Sequence, residues 1–341
     1  MPDKNKKITI YDISKRSGVS IATVSRVLNG AKNVNPDTRE MVEDVMREMG
    51  YKPNAFARGL GLDTMKTIGI LCADSSDTYL AKAVYYIEEQ LRENNYDSLL
   101  CCTGYDPENK RKAMDLLISK KVDAAILVGS NFLEPTKQGT KYIRDAAEDI
   151  PVMLLNAFYE YPNVYSVYCD DCTAMEQVTE SLIASGRKKI LYLYNSRSYS
   201  GIKKIEGFSR AYEKRKKEPP KQYMQYCACE REDIAGVIDF LNRLWSSGLH
   251  FDAIIGAEDV LAVAALKFVL SKGLKCPDDI AVAGYNNSLL ATLTQPAITS
   301  VDNKLKPMCR QLVENLLGVL AGRVMPRKSE YSGEIIVRES T

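Results

Sequence analysis

A chain of 341 residues that is 45% hydrophobic is too long for one small domain and long enough to bury two or three cores. No apolar run approaches the roughly eighteen residues of a spanning helix, and the charged start from Asp3 to Lys7 leads into no hydrophobic signal region, so the sequence reads as cytoplasmic. The nine cysteines are scattered and the only histidine is His250; Cys169 and Cys172 have metal-ligand spacing but no second pair, which predicts reduced thiols, no metal and no cofactor.

Charge is unevenly placed. Residues 1–58 hold 11 Lys/Arg against 7 Asp/Glu, a net of +4, which leaves −2 for the rest of a chain whose total is +2. That asymmetry points to a nucleic-acid partner for the N-terminal segment alone. Thr9 followed by Asp12 has capping-box spacing and predicts a helix from Ile10 to Arg16 with Ile10 and Ile13 turned inward. Gly18 supplies a tight turn, Val19 faces in, and Ser20 caps the next helix, Ile21 to Leu28. On that helix Val24, Val27 and Leu28 face the core while Ile21, Ala22, Ser25 and Arg26 face outward, and Asn29-Gly30 ends it. Asn35-Pro36 begins a third helix that sets Met41, Val42, Val45, Met46 and Met49 at helical spacing before Gly50. This pattern alone describes either a helix-turn-helix or a small three-helix bundle with no DNA role.

The residues from Thr9 to Gly30, with Asn35 to Arg39 and Met49 to Leu60, resemble the DNA-binding head of the lactose/galactose repressor (LacI/GalR) family almost position by position. The resemblance implies a double-stranded DNA operator as partner, with Ile21, Ala22 and Arg26 at base-reading positions in the major groove. An arginine suits a bidentate bond to guanine, and the small apolar side chains suit thymine methyls. Thr9, Tyr11, Ser20, Thr23, Ser25 and Asn29 would contact phosphates and set register. Asn54 can cap a helix of barely two turns, Ala55 to Leu60, too short and glycine-weakened to persist alone. In the family such a hinge helix pairs across a homodimer, and its leucine, matched by Leu60, wedges a central base step.

From Thr67 short apolar runs alternate with amphipathic stretches, as in βα units around parallel sheets. Strands are predicted at 67–72, 98–102, 124–128, 152–155, 190–194, 223–227, 253–255 and 280–283, with helices near 79–94, 107–119, 139–148, 173–185, 202–215, 232–246 and 259–271. Thr67 to Leu71, Lys120 to Gly129, Gly186 to Ile190, Ile205 to Phe208, Pro277 to Asn286 and Thr299 to Asp302 resemble, in order, the motifs of the same family's sensor core. The implied fold is an all-α helix-turn-helix head plus a two-lobed, type I periplasmic-binding-protein-like α/β core, its parallel sheets flanked by helices. The implied domains are a head at 1–52, a hinge and linker at 53–66, and an effector-binding and dimerising core at 67–341. Within the core the first lobe is expected at 67–167 and 298–328, and the second at 168–297 and 329–341.

An interlobe cleft at the carboxyl ends of the strands is the expected effector site. Its candidate residues are Asp74, Ser75, Asp77 and Tyr79 after the first strand, Ile202 where sugar-binding relatives carry an arginine, Glu258 and Asp259 where they carry Asn-Asp, and Asn286 where they carry Asp. Two ligand classes stay open: an unusual cationic or amine-bearing metabolite, given the acidic candidates, or a common sugar held by other residues. A protein partner, or no ligand, is the alternative. One histidine, no phosphate loop and no nucleophile elbow leave no catalytic set, so a DNA-binding transcriptional regulator, usually a repressor, is expected rather than an enzyme.

Overall fold

The computed structural model describes residues 8–28, 31, 33–51, 64–134, 136, 138–229 and 233–341. The chain separates into two compact units, Met1–Thr67 with Lys121–Asp123, and Ile68–Lys120 with Ala124–Thr341.

The first unit holds three helices, α1 (Ile10–Ser17), α2 (Ile21–Leu28) and α3 (Pro36–Met49). The Asp12 carboxylate accepts the Thr9 N–H at 2.8 Å and the Thr9 hydroxyl at 2.7 Å, which fastens the start of α1. Gly18 sits at φ 71°, a left-handed position that a side chain would strain, and donates its N–H to Ser14 O at 3.0 Å to close the helix. Asn35 accepts the Asp37 N–H and Pro36 opens α3. Ile13, Val24, Val27 and Val42 form the core, ringed by Ile10, Val19, Leu28, Val45, Met46 and Met49. Met41, expected in this core, is 40% exposed: it precedes Val42 by one position, about 100° around the helix, and so faces water.

The second unit is two α/β lobes. The first lobe carries β1 (Thr67–Cys72), β2 (Asp97–Cys102), β3 (Ala124–Val128), β4 (Val152–Leu155), β5 (Val164–Cys169) and β11 (Lys328–Tyr331), in the sheet order β11-β5-β4-β3-β1-β2. The second carries β6 (Ile190–Tyr194), β7 (Met224–Tyr226), β8 (Ala253–Gly256), β9 (Ala281–Tyr285), β10 (Thr299–Asp302) and β12 (Glu334–Ile336), in the order β12-β10-β9-β8-β6-β7. Between strands run α4 (Thr78–Glu93), α5 (Pro107–Ser119), α6 (Lys141–Asp149), α7 (Asp171–Ala184), α8 (Tyr199–Glu213), α9 (Ile234–Ser246), α10 (Asp259–Ser271), the short α11 (Leu289–Thr292) and α12 (Leu305–Leu320). Strand β3 is buried at every position, as are β8 and β9, because helices cover both faces of a parallel sheet. Ile70, Ile126, Met153, Val167 and Leu312 centre one core; Tyr192, Phe208, Ile254, Phe268 and Val282 centre the other.

The return to the first lobe comes later than the expected boundary at 298, and the last crossing later than 329, since β11 (Lys328–Tyr331) still belongs to the first lobe's sheet. Thr299–Asp302 is a strand of the second lobe, parallel to β9 with Thr299 opposite Ala283 and Val301 opposite Tyr285. The chain enters the first lobe only with α12, whose Met308, Leu312 and Leu316 join that lobe's core. Thr299 and Ser300 make β10 look like loop, but Ser300 donates to the buried Asp259 carboxylate at 2.6 Å, so its hydroxyl is satisfied inside the sheet. Strand β5, absent from the predicted set, lies between β4 and β11. Its alternation of Tyr165, Ser166, Val167 and Tyr168 masks an almost fully buried strand.

Candidate functional site

On the head, α2 divides its side chains cleanly. Val24 and Val27 are buried, whereas Ile21, Ala22 and Arg26 are exposed, with Ile21 at 40%. An isoleucine facing water at the first turn of a short helix is not explained by folding of the bundle, whose core closes without it. Ser20 accepts the Thr23 N–H at 3.1 Å and meets the Thr23 hydroxyl at 2.9 Å, so both hydroxyls lie at the amino end of α2 beside its unpaired N–H groups. Tyr11 is 68% exposed and Thr9 is exposed, while Ser25 is half-buried. Arg26 is exposed on this face, and its guanidinium makes no ion pair among the described residues. Asn29 and the hinge residues up to Leu60 lie outside the described residues.

The sheet orders dictate where the core can bind something. In each lobe strand order reverses beside the first strand, between β3 and β1 in one and between β8 and β6 in the other, and at such a switch point adjoining loops diverge and leave a crevice. The four loops concerned meet in one small cavity of about 50 Å³. Tyr79 and Leu80 come from the loop and helix after β1, Ser130 and Asn131 from the turn after β3, Asn195 and Ser198 from after β6, and Ala257 and Glu258 from after β8. Asn156 adds a side chain 6% exposed, whose Oδ1 has no partner among the described residues, and Asn195 Oδ1 is likewise buried and unpaired among them. Buried amide oxygens without partners are costly, which marks this cavity as built for hydrogen-bonding groups from outside.

Beneath it lies a charged layer. Lys204, 6% exposed, lines the cavity from α8, donates to Ala257 O at 2.9 Å and stands 3.8 Å above the Tyr285 ring. Asp171, 2% exposed, accepts the Ser200 hydroxyl at 2.5 Å and the Tyr285 hydroxyl at 2.7 Å. Burial pushes its carboxyl above the ordinary range, and the Lys204 ammonium is the strongest influence pulling it back down. Gly207 lets α8 approach α7 closely enough for this arrangement, since a Cβ there would collide with the Cys172 carbonyl.

A second cavity, about 740 Å³, adjoins the first and shares Tyr79, Glu258 and Asn286 with it. Its walls are largely apolar, with Ile234, Val260, Val263, Leu289 and Leu290 from the second lobe facing Tyr86, Leu305 and Pro307 from the first. Asp74, Asp77 and Asp302 lie on its rim with Lys82 and Lys306.

The structure redistributes the sequence candidates. Tyr79, Glu258 and Asn286 stand at the junction of the two cavities, and the Tyr79 hydroxyl accepts from Asn303 at 2.8 Å. Asp74 lines the larger cavity while accepting the Ser76 N–H and hydroxyl. Ser75 is exposed and lines neither cavity; its neighbour Ser76 does. Asp77 lines the larger cavity and is also the cap of α4, its Oδ1 accepting both the Tyr79 and Leu80 N–H groups. Asp259 is 2% exposed and braces the loop after β9 by accepting from Ser300 and the Ser288 N–H, with burial again raising its carboxyl. Ile202 must be corrected: it is 43% exposed and lines neither cavity. Two positions along a helix turn a side chain by about 200°, so the inward cation of α8 is Lys204, three residues before Gly207. The residues missed, Ser130, Asn131, Asn156, Asn195 and Ser198, share one legible signal: each lies in the loop that leaves the carboxyl end of a strand beside a switch point or its neighbour.

Comparisons with known proteins agree with this architecture. Residues 65–336 match the profile described as periplasmic binding proteins and sugar binding domain of the LacI family, and residues 9–54 match that of bacterial regulatory proteins, lacI family. An HTH-type transcriptional regulator of Lachnoclostridium phytofermentans is 48% identical over 334 residues, covering 98% of this chain and 99% of the relative. The HTH-type transcriptional regulator DegA of Bacillus subtilis is 30% identical over 340 residues, covering 98% of each. Among solved structures, a Lac repressor dimer bound to operator and the anti-inducer ONPF superposes with a TM-score of 0.85 at 21% identity, over 98% of this chain and 99% of that one. With an N-terminal helix-turn-helix and a two-lobed α/β core both matched, the chain belongs to the LacI family of bacterial regulatory proteins.

Proposed function

We propose that this protein is a cytoplasmic transcriptional regulator that binds a pseudo-palindromic DNA operator as a homodimer and answers to a small molecule held between its lobes. The observation that carries the DNA reading is the outward set Ile21, Ala22 and Arg26 on a helix whose other face closes the bundle. Such a helix inserts into the major groove, where Arg26 reads guanine and Ile21 or Ala22 meets thymine methyls. Thr9, Tyr11, Ser20, Thr23, Ser25 and Asn29 supply the phosphate contacts, and Leu60 takes the minor-groove wedge. Selection from a random duplex library should return a two-fold symmetric site, and its affinity should fall roughly 10³-fold or more between 50 and 200 mM salt. No enrichment, or a flat salt response, would sink the proposal.

For the ligand, the small cavity supports a polyhydroxylated molecule, gripped by Asn156, Asn195, Ser130 and Ser198, above a cationic metabolite. Lys204 is the reason: an ammonium in the floor donates to hydroxyl or carboxylate oxygens and has nothing to offer an ammonium-bearing ligand. A cavity of about 50 Å³ is far smaller than a sugar, so binding has to part the lobes or extend into the larger cavity past Tyr79 and Asn286. Either route couples occupancy to lobe geometry, which is what a ligand-controlled regulator needs.

The homodimer has a candidate face on the second lobe. Leu289 and Leu293 are 68% and 71% exposed around α11, next to the Val260 and Val263 wall of the large cavity. Leucines grouped in water at this density mark an association surface. Leu293→Asp should raise the dimer dissociation constant roughly 30-fold or more in sedimentation experiments and weaken operator binding with it. A variant that stays dimeric at the same concentration would place the interface elsewhere.

A further inference from the structure

Cys227-Ala228-Cys229 leaves the carboxyl end of β7, and the Cys227 N–H donates to Tyr194 O at 2.8 Å, extending the pairing with β6. That bond fixes Cys227 with its side chain fully buried, whereas Cys229 is partly open to solvent. The two sulfurs stand 3.1 Å apart, the Cys227 thiol donating to Cys229 Sγ. Cys72, Cys276 and Cys309 instead donate their thiols to backbone carbonyls, a sink that ties up the proton. From this juxtaposition we infer that Cys227 and Cys229 form a reversible disulfide, a modification site in the connection between β7 and α9.

The two thiols divide the chemistry. Burial, before any other influence, pushes the Cys227 thiol up to about 11, so it keeps its proton at neutral pH and the more open Cys229 reacts first. The Cys229 thiolate attacks one oxygen of a hydroperoxide: an S–O bond forms, the O–O bond breaks, and the departing oxygen takes up the proton the thiol released. The Cys227 sulfur then displaces the sulfenic hydroxyl, an S–S bond forms, and that hydroxyl leaves as water with the Cys227 proton. Two thiols lose two electrons in total, and the hydroperoxide is reduced to an alcohol or water.

The position gives the modification something to act on. On one side of the pair, Tyr226 packs on Tyr194 at 5.5 Å with the Arg197 guanidinium over its ring, and Tyr194 runs directly into Asn195 of the small cavity. On the other side, Ile234 at the start of α9 lines the large cavity. Closing an S–S bond across a single intervening residue bends the chain where these two walls originate.

The full-length protein, titrated with hydrogen peroxide, alkylated and mapped by mass spectrometry, provides the test. The peptide holding Cys227 and Cys229 should lose both alkylation sites, 2 Da lighter than its dithiol form, and recover them with dithiothreitol. The exposed Cys102 serves as the internal reference for general oxidation. In Cys227→Ser, and in Cys227→Ala should the serine variant misfold, a sulfenic acid on Cys229 should be trapped roughly tenfold more than in the unsubstituted protein, because its resolving partner is gone. Oxidation should also change amide exchange over Ile234–Ser246 by roughly threefold or more. The inference is overturned by Cys227 and Cys229 staying alkylatable while Cys102 is oxidised, or by Cys229 accumulating sulfenic acid equally with and without Cys227. Unchanged exchange over α9 overturns the link to the cavities.

Discussion

Replacing Lys204 with methionine is expected to cost roughly 3–5 kcal/mol of folding stability at pH 8, because it strands the buried Asp171 carboxylate beside only two hydroxyl donors. Methionine keeps most of the volume but also gives up the hydrogen bond to Ala257 O, so the pH dependence and the rescue below isolate the charge. Its pH dependence follows from the direction of the Asp171 shift. A carboxyl already raised by burial rises further without its cation, and a group with a raised folded value favours the folded state below its unfolded value and ceases to do so as pH climbs through the folded one. The gap between variant and parent should therefore be smallest near and below the ordinary value of 3.8 and widen as the pH rises above that point. Adding Asp171→Asn should restore most of the loss at pH 8, since a neutral amide can still meet Ser200 and Tyr285. Urea unfolding at several pH values reads all three outcomes. A loss that is constant with pH and is not rescued would show that Lys204 matters only as packing.

The second large effect is on recognition. Arg26→Ala should remove roughly 1–3 kcal/mol of discrimination at one base pair in each half-site while leaving preferences elsewhere intact. The folded head should survive the change, because Arg26 is exposed and packs on none of Ile13, Val24, Val27 or Val42. Binding-site selection with parent and variant separates this from a phosphate contact, whose removal would weaken all sequences alike and lower the salt slope by about 1. An unaltered preference at every position would take Arg26 out of base reading.

Why the head was so legible and the cleft so little follows from the physics of each. Within the head nearly every decisive interaction is local: Thr9 with Asp12, Gly18 with Ser14, Ser20 with Thr23, Asn35 with Asp37. Spacing along the chain therefore carries the information. Met41 departs from its expected place because hydrophobicity does not fix direction: the position beside Val42 on α3 points outward. In the core most helices and strands of the βα repeats were readable from their periodicity. Strands β5, β10, β11 and β12 were not; in β5 and β10, Ser166, Thr299 and Ser300 are polar residues whose burial depends on partners far away in sequence.

The cleft shows the same division more sharply. Asp77 and Asp259 both line the large cavity, yet one also caps a helix and the other also holds Ser288 and Ser300, a second task that charge and position in the sequence do not reveal. Asn156 and Asn195 carry no charge and match no motif, yet their unpaired oxygens define what the small cavity lacks.

Local order was thus settled by the sequence alone: three capped helices with Ile21, Ala22 and Arg26 turned outward, and a succession of strands and helices too regular to be anything but α/β. Tertiary structure alone decided that four loops from two sheets converge on one cavity, that Lys204 rather than Ile202 faces it, and that the buried charge beneath is shared with Asp171. The reason is sequence distance. Hydrogen bonds and apolar faces that recur within a helical turn are written in adjacent residues, whereas a cavity is made by strand order, and strand order joins residues more than a hundred positions apart, as Tyr285 and Asp171 do.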